Sequence, residues 1–242
     1  MSRRIVLITV FLILVLFSAF FIWASNASGP GENARKAMTG NERVEVIHNK
    51  FIRFIPEQGS KKGLIIYPGA KVNPQSYAEI ALEAAEAGVF SAIVSMPLNL
   101  AVFSPDKAAE VIAEYPEIDE WYLAGHSLGG AMACQYVKAH PETITGLILL
   151  AAYPASASDL SDMDVRVLSL YASEDGLSTV EKIEVAKEYL PDDTEYVLIN
   201  GGNHAQFGDY GRQNGDGEAW ISPFEQMQRI EEKILDFINS KG

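Results

Sequence analysis

One cysteine, Cys134, occurs in 242 residues. No intramolecular disulfide can form, and a zinc site built from several thiolates is excluded. Cys134 stands among small and apolar residues in a predicted helix and reads as a packing thiol. Basic residues are scarce as well: 19 Lys and Arg stand against 32 Asp and Glu, a formal net charge of −13. So acidic a surface repels phosphate backbones and argues against nucleic acid as a partner. Charged residues make up 21% of the chain and hydrophobic ones 48%. That composition supplies a sizeable core and does not resemble a disordered chain.

Charge is missing altogether from Ile5 to Trp23, where only Thr9 and Ser18 are polar. A helix over this run is long enough to cross a hydrocarbon core of about 30 Å. Arg3 and Arg4 precede it, so the positive-inside rule keeps that end in the cytoplasm and sends the remainder across. Two readings follow: an uncleaved anchor, or a secretory signal cut near Ser25 and Ala27. The apolar run is longer than the usual signal core of about 7–15 residues, which favours the anchor. Either reading places the rest of the protein outside the cytoplasm. The expected organisation is a membrane segment over 1–24, a linker over 25–42 rich in Ser, Asn, Gly and Ala, and one domain over 43–242.

Within that domain strand-like and helix-like segments alternate. Strands are expected at Val44–His48, Phe51–Ile55, Gly63–Tyr67, Phe90–Ser95, Trp121–Ala124, Gly146–Ala151, Val165–Tyr171 and Glu195–Ile199. Helices are expected at Tyr77–Ala87, Asp106–Glu114, Leu128–Ala139, Val180–Leu190 and Ser222–Ile238. The pattern predicts an α/β fold: a doubly wound, mostly parallel sheet with helices on both faces. Only Tyr153–Asp164 is free to cover the site, so no large lid is expected.

Gly125-His126-Ser127-Leu128-Gly129 is a G-x-S-x-G sequence between a predicted strand and a predicted helix. That setting is what a nucleophile elbow needs: a tight strained turn lifts the serine hydroxyl above the sheet edge, beside a helix N-terminus. A serine hydroxyl needs a base. Of the four histidines, His48 lies upstream of Ser127, His126 sits beside it and reads as packing, and His140 ends a helix. His204 follows the last strand, at the sheet edge where a base is required. The carboxylate should follow the strand Val165–Tyr171, where Asp175 is preferred over Glu174 because Gly176 permits a sharp turn. The candidate catalytic set is Ser127, Asp175 and His204. Two N–H donors should form an oxyanion hole: Leu128, and Gly69 or Ala70 after the third strand, with Ala70 preferred.

Four segments carry a family resemblance: Tyr67–Val72, Met96–Phe103, Gly125–Gly130 and Gly201–Gly208. Together they resemble the α/β-hydrolase fold-5 family, and more distantly the dienelactone hydrolases. The latter use a cysteine where this chain has Ser127, so their activity is not carried over. The resemblance implies the α/β-hydrolase fold without a large lid. The expected activity is that of a carboxylesterase-like serine hydrolase acting on small ester-type substrates through an acyl-enzyme, with no cofactor. The alternatives are an acyltransferase or thioesterase with the same triad, and a non-catalytic membrane-tethered binding module. Pro97–Phe103 is expected to receive an apolar part of a substrate or to cover core. Phe207–Gly217 is expected to meet a polar part, and its Asp209 and Asp216, with Glu218, offer oxygen ligands whose spacing fits no calcium loop.

Overall fold

The computed structural model describes residues 3–240. Its strands are β1 (Val44–His48), β2 (Phe51–Pro56), β3 (Lys62–Tyr67), β4 (Phe90–Val94), β5 (Glu120–His126), β6 (Gly146–Leu150), β7 (Arg166–Ala172) and β8 (Glu195–Ile199). They form one sheet in the order β1-β2-β4-β3-β5-β6-β7-β8. β1 and β2 form an antiparallel hairpin, β2 pairs antiparallel with β4, and all remaining pairs are parallel. Every strand expected from the sequence is present, with ends displaced by a residue or two.

The helices are α1 (Arg3–Ser25), α2 (Glu32–Ala37), α3 (Ala78–Glu86), α4 (Lys107–Glu114), α5 (Leu128–Ala139), α6 (Val180–Ala186) and α7 (Pro223–Asn239). Side chains of the central strands alternate between two apolar layers. Leu64 and Ile66 of β3, Tyr122 and Ala124 of β5, and Ile148 and Leu150 of β6 pack with α2, α3 and α7. Ile65, Tyr67, Trp121, Leu123, Leu147 and Leu149 face the other way, toward α4 and α5. Both faces are covered, so these strands read as continuous apolar runs rather than alternating ones. α7 begins as its sequence requires: the Ser222 side chain accepts the Glu225 N–H at 3.1 Å, and Pro223 occupies the first turn.

Strand order reverses at β3. The chain passes from β3 to β4 on one side and returns to β5 on the other. The crevice beyond the C-terminal ends of β3 and β5 is thus a topological switch point, where parallel sheets place ligands.

α1 is apolar and long enough to cross a membrane, and its side chains are exposed along its length except at Ala24. It is not a core helix. The segment over 25–42, expected as a linker, makes contacts with the domain. Ser28 N–H donates to the Lys71 carbonyl at 2.8 Å, and the Asn73 N–H returns a bond to Ser28 at 2.9 Å. α2 follows, with Ala34 and Ala37 buried against α3 and the domain core. Small side chains that read as a flexible spacer are what allow this close approach.

Acidic side chains crowd where α3 meets α7. Burial, then the nearby Glu83 and Glu79, pushes the Glu231 carboxyl up to about 8 from 4.5. Burial, then Asp209, raises Glu79 to about 7. Between about pH 4.5 and these values the folded chain holds protons that the unfolded chain has released, so stability falls as pH rises through that window. The unfolding midpoint of the chain in detergent should therefore decline from roughly pH 5 to pH 8. Glu231→Gln should flatten the decline; a variant that keeps the wild-type slope would contradict the assignment.

Candidate active site

Ser127 is the single residue between the end of β5 and the start of α5. Its backbone lies at φ 52°, ψ −121°. Such a conformation costs a non-glycine residue about 1–3 kcal/mol and persists only where the surroundings enforce it. Here they do: the Ser127 N–H is held by the Leu150 carbonyl of β6 at 3.0 Å. The flanking glycines are required by close approach. A Cβ on Gly129 would stand 2.4 Å from the Tyr67 carbonyl oxygen, and one on Gly125 would stand 2.5 Å from the Gly130 Cα. The turn thus brings the N-terminus of α5 down onto the end of β3.

His204 lies in the loop after β8, and Asp175 in the loop after β7. Their side chains meet with His204 Nδ1 2.8 Å from Asp175 Oδ2, and both are fully buried. An ionised carboxylate only accepts, so Nδ1 carries the proton and Nε2 is left as an acceptor. The other carboxylate oxygen, Oδ1, accepts the Leu177 N–H at 2.7 Å and the Ser178 N–H at 2.6 Å. Glu174, the alternative acid, instead accepts the Ser173 hydroxyl at 2.9 Å. His204 Nε2 is buried and has no hydrogen-bond partner among the described residues, so it is not bonded to the Ser127 hydroxyl. Ser127 itself is half-buried.

His126 is buried, as packing required, but it also makes specific contacts. Its ring lies 4.6 Å from that of His204, and Nδ1 is 2.8 Å from the Tyr77 hydroxyl. That hydroxyl oxygen accepts the Gly69 N–H at 2.9 Å, so its own proton is directed at His126 Nδ1. Burial, then the neighbouring His204, holds His126 well below the usual histidine range, against a smaller opposing effect of the His204 backbone. His126 therefore stays neutral beside the buried pair. The same bond distinguishes the Gly69 N–H from the Ala70 N–H. Gly69 N–H is occupied by Tyr77, whereas Ala70 N–H has no partner among the described residues. Leu128 N–H, first in α5, has no intrahelical acceptor.

A serine at a strained strand–helix turn and a buried His–Asp pair thus lie at one sheet edge. A model of the alpha/beta hydrolase family matches residues 63–228, more than half of the chain. The chain belongs to the alpha/beta hydrolase family. No curated protein sequence matches it significantly. Among solved structures, this hydrolase is similar to one of the metagenome-derived lipolytic enzymes LipS and LipT, with 17% identity and a TM-score of 0.59 over 74% of this chain and 94% of that one. Est1E from Butyrivibrio proteoclasticus aligns at 14% identity and TM-score 0.58, over 82% of this chain and 100% of that one. A monoacylglycerol lipase from Paleococcus ferrophilus aligns at 14% identity and TM-score 0.56, over 78% and 100%. At these identities the likeness is one of fold.

Two loops singled out in the sequence lie near this edge. Pro97–Phe103 forms two 3₁₀ turns, in which Leu100 and Ala101 are buried while Val102 and Phe103 face outward. Phe207–Gly217 helps to line a cleft of about 630 Å³ that neither Ser127, Asp175 nor His204 borders. Its carboxylates are turned to other work. Asp209 accepts the Ala34 N–H of α2 at 2.9 Å. Asp216 accepts N–H groups from Gly176 (3.2 Å), His204 (3.1 Å), Ala205 (2.8 Å) and Gly217 (2.8 Å). Among the described residues no three His, Cys, Asp or Glu side chains are grouped to hold a metal.

The bracing role of Asp216 is what sequence reasoning missed. Asp216 ties the turn carrying Asp175 to the loop carrying His204. The sequence signal was an aspartate between two glycines, Gly215-Asp216-Gly217, in an otherwise irregular loop. Asp216→Ala should destabilise the chain by about 2–4 kcal/mol, because three segments lose a charged acceptor. Asp216→Asn should cost less. Urea unfolding in detergent measures both, and a neutral Ala variant would refute the tie.

Proposed function

We propose that this alpha/beta hydrolase is a serine hydrolase that cleaves ester-type bonds. The observation that supports this best is the buried Asp175–His204 pair, 2.8 Å apart, at the sheet edge that also carries Ser127 at φ 52°. His204 Nε2, unpartnered, serves as the base that removes the proton from Ser127. The Ser127 oxygen attacks the ester carbonyl, and the Leu128 and Ala70 N–H groups hold the oxyanion. Asp175 fixes the imidazole tautomer and stabilises its cation. Collapse expels the alcohol, which takes the proton from His204. Water activated by the same nitrogen then hydrolyses the acyl-enzyme. Serine–histidine contacts are commonly loose without substrate and tighten on binding, so the absence of that bond at rest is compatible with this role.

Neutral His126 matters to the mechanism. Were it charged, 4.6 Å from the His204 ring, it would oppose the imidazolium that forms there. We also read α1 as an uncleaved anchor, with Arg3 and Arg4 on the cytoplasmic side and the domain outside.

A fluorescent fluorophosphonate should label the wild-type chain and fail to label Ser127→Ala. Turnover of a short p-nitrophenyl ester should fall on the order of 10⁴-fold or more in Ser127→Ala and His204→Ala, and on the order of 10⁴-fold in Asp175→Asn. A folded wild type that neither labels nor turns over ester would sink the hydrolase reading and favour a non-catalytic binding module.

A further inference from the structure

The junction between α1 and the domain has no slack. Ala24, in the last turn of α1, is completely buried. Only Asn26 and Ala27 separate the helix from Ser28, whose backbone is bonded on both sides to the segment after Ala70. The helix also packs directly against the Pro97–Asn99 turn. Phe20 meets Phe103 edge to face, with ring centres 6.4 Å apart. The Lys71 ammonium lies 4.5 Å from the centre of the Trp23 ring. Lys71 N–H in turn donates to the Asn99 carbonyl at 2.8 Å, joining the two loops. The Ala101–Phe103 turn packs against α5, the helix that Ser127 opens.

These contacts set a depth. Trp23 ends the apolar run, and tryptophan favours the headgroup level of a bilayer. Phe20 lies about 4.5 Å further along the helix, toward the hydrocarbon. Phe103 packs on Phe20, so it must share that depth. Phe103 is 51% exposed and its neighbour Val102 46%, although both are large and apolar. Their outward faces continue the apolar surface of α1 beside the loops that follow β3 and β4. Those loops lie at the same sheet edge as Ser127.

We propose that the catalytic edge of this domain lies against the surface of the membrane that α1 spans, with Val102 and Phe103 inserted at the interface, so that ester substrates enter from the bilayer. The docking rests on α1 being retained as an anchor, and the substrate route rests on the hydrolase reading. Insertion is driven by apolar burial, with Lys71 at the headgroup level; the net charge of −13 supplies no attraction to anionic lipid.

The test uses the full chain in phosphatidylcholine vesicles. A nitrobenzoxadiazole label is placed at Phe103→Cys or, as a water-exposed reference, at Glu117→Cys. Glu117 lies just before β5, at the opposite sheet edge. Cys134 is buried, and burial raises its thiol far above the usual range, so it does not compete for the label. The Phe103 label should be blue-shifted and quenched several-fold more by shallow spin-labelled lipid than the Glu117 label. Equal quenching at the two positions overturns the docking, as does finding that the mature chain lacks α1.

A second arm follows activity. In Val102→Ser/Phe103→Ser, the ratio of turnover of a long-chain ester in the bilayer to that of a water-soluble p-nitrophenyl ester should fall about tenfold. An unchanged ratio overturns the proposed substrate route. If the Phe103 label is quenched while wild type turns over neither ester, the docking stands and it is the hydrolase reading that fails.

Discussion

Burying an ionisable pair is expensive, and the C-terminal half of this protein is organised around one. Asp175 and His204 are fully buried 2.8 Å apart. Each makes the other's burial tolerable, and removal of either leaves a buried polar group without its partner. The remaining acceptor capacity of Asp175 is taken up by the N–H groups of Leu177 and Ser178. Asp216 fastens the two loops to each other through Gly176, His204 and Ala205. One buried carboxylate–imidazole pair therefore accounts for the shape of three loops.

The nucleophile side of the site is held by backbone constraint rather than charge. The left-handed conformation of Ser127 is sustained by the Leu150 carbonyl and by the contact of Gly129 with the end of β3. Lys71, Leu98 and Asn99 also have positive φ, at 58°, 54° and 54°. All three lie in the loops that border the switch point and touch α1. Strained non-glycine backbone concentrates where a site demands a particular shape. Its position here links the proposed catalytic edge to the N-terminal helix.

Much of this was legible in the chain. Buried parallel strands announce themselves as apolar runs such as Gly-Leu-Ile-Ile-Tyr, and the G-x-S-x-G turn needs small residues at fixed places. His204 and Asp175 stand out as candidates because strand order assigns each to a loop at one edge. The choice of Asp175 over Glu174 was a preference until the geometry showed which one reaches His204. Residues 25–42 read as a linker because small residues look alike in a spacer and in a close contact. Only the presence of α3 and of the Lys71–Asn73 segment makes Ala34, Ala37 and Ser28 packing residues.

Local chemistry is written along the chain, so the sequence alone determined the apolar N-terminal helix, the alternating α/β elements, the elbow at Ser127 and the candidacy of Asp175 and His204. Those features depend on period, on turn propensity and on residue type within a few positions. The tertiary structure decided which partners meet across long separations. It gave Gly69 N–H to Tyr77 and left Ala70 N–H free, turned Asp216 from a candidate ligand into a clasp, and seated the end of α1 on the loops beside the site. Each of those outcomes rests on distances between residues tens to hundreds of positions apart, and no periodicity or local motif encodes them.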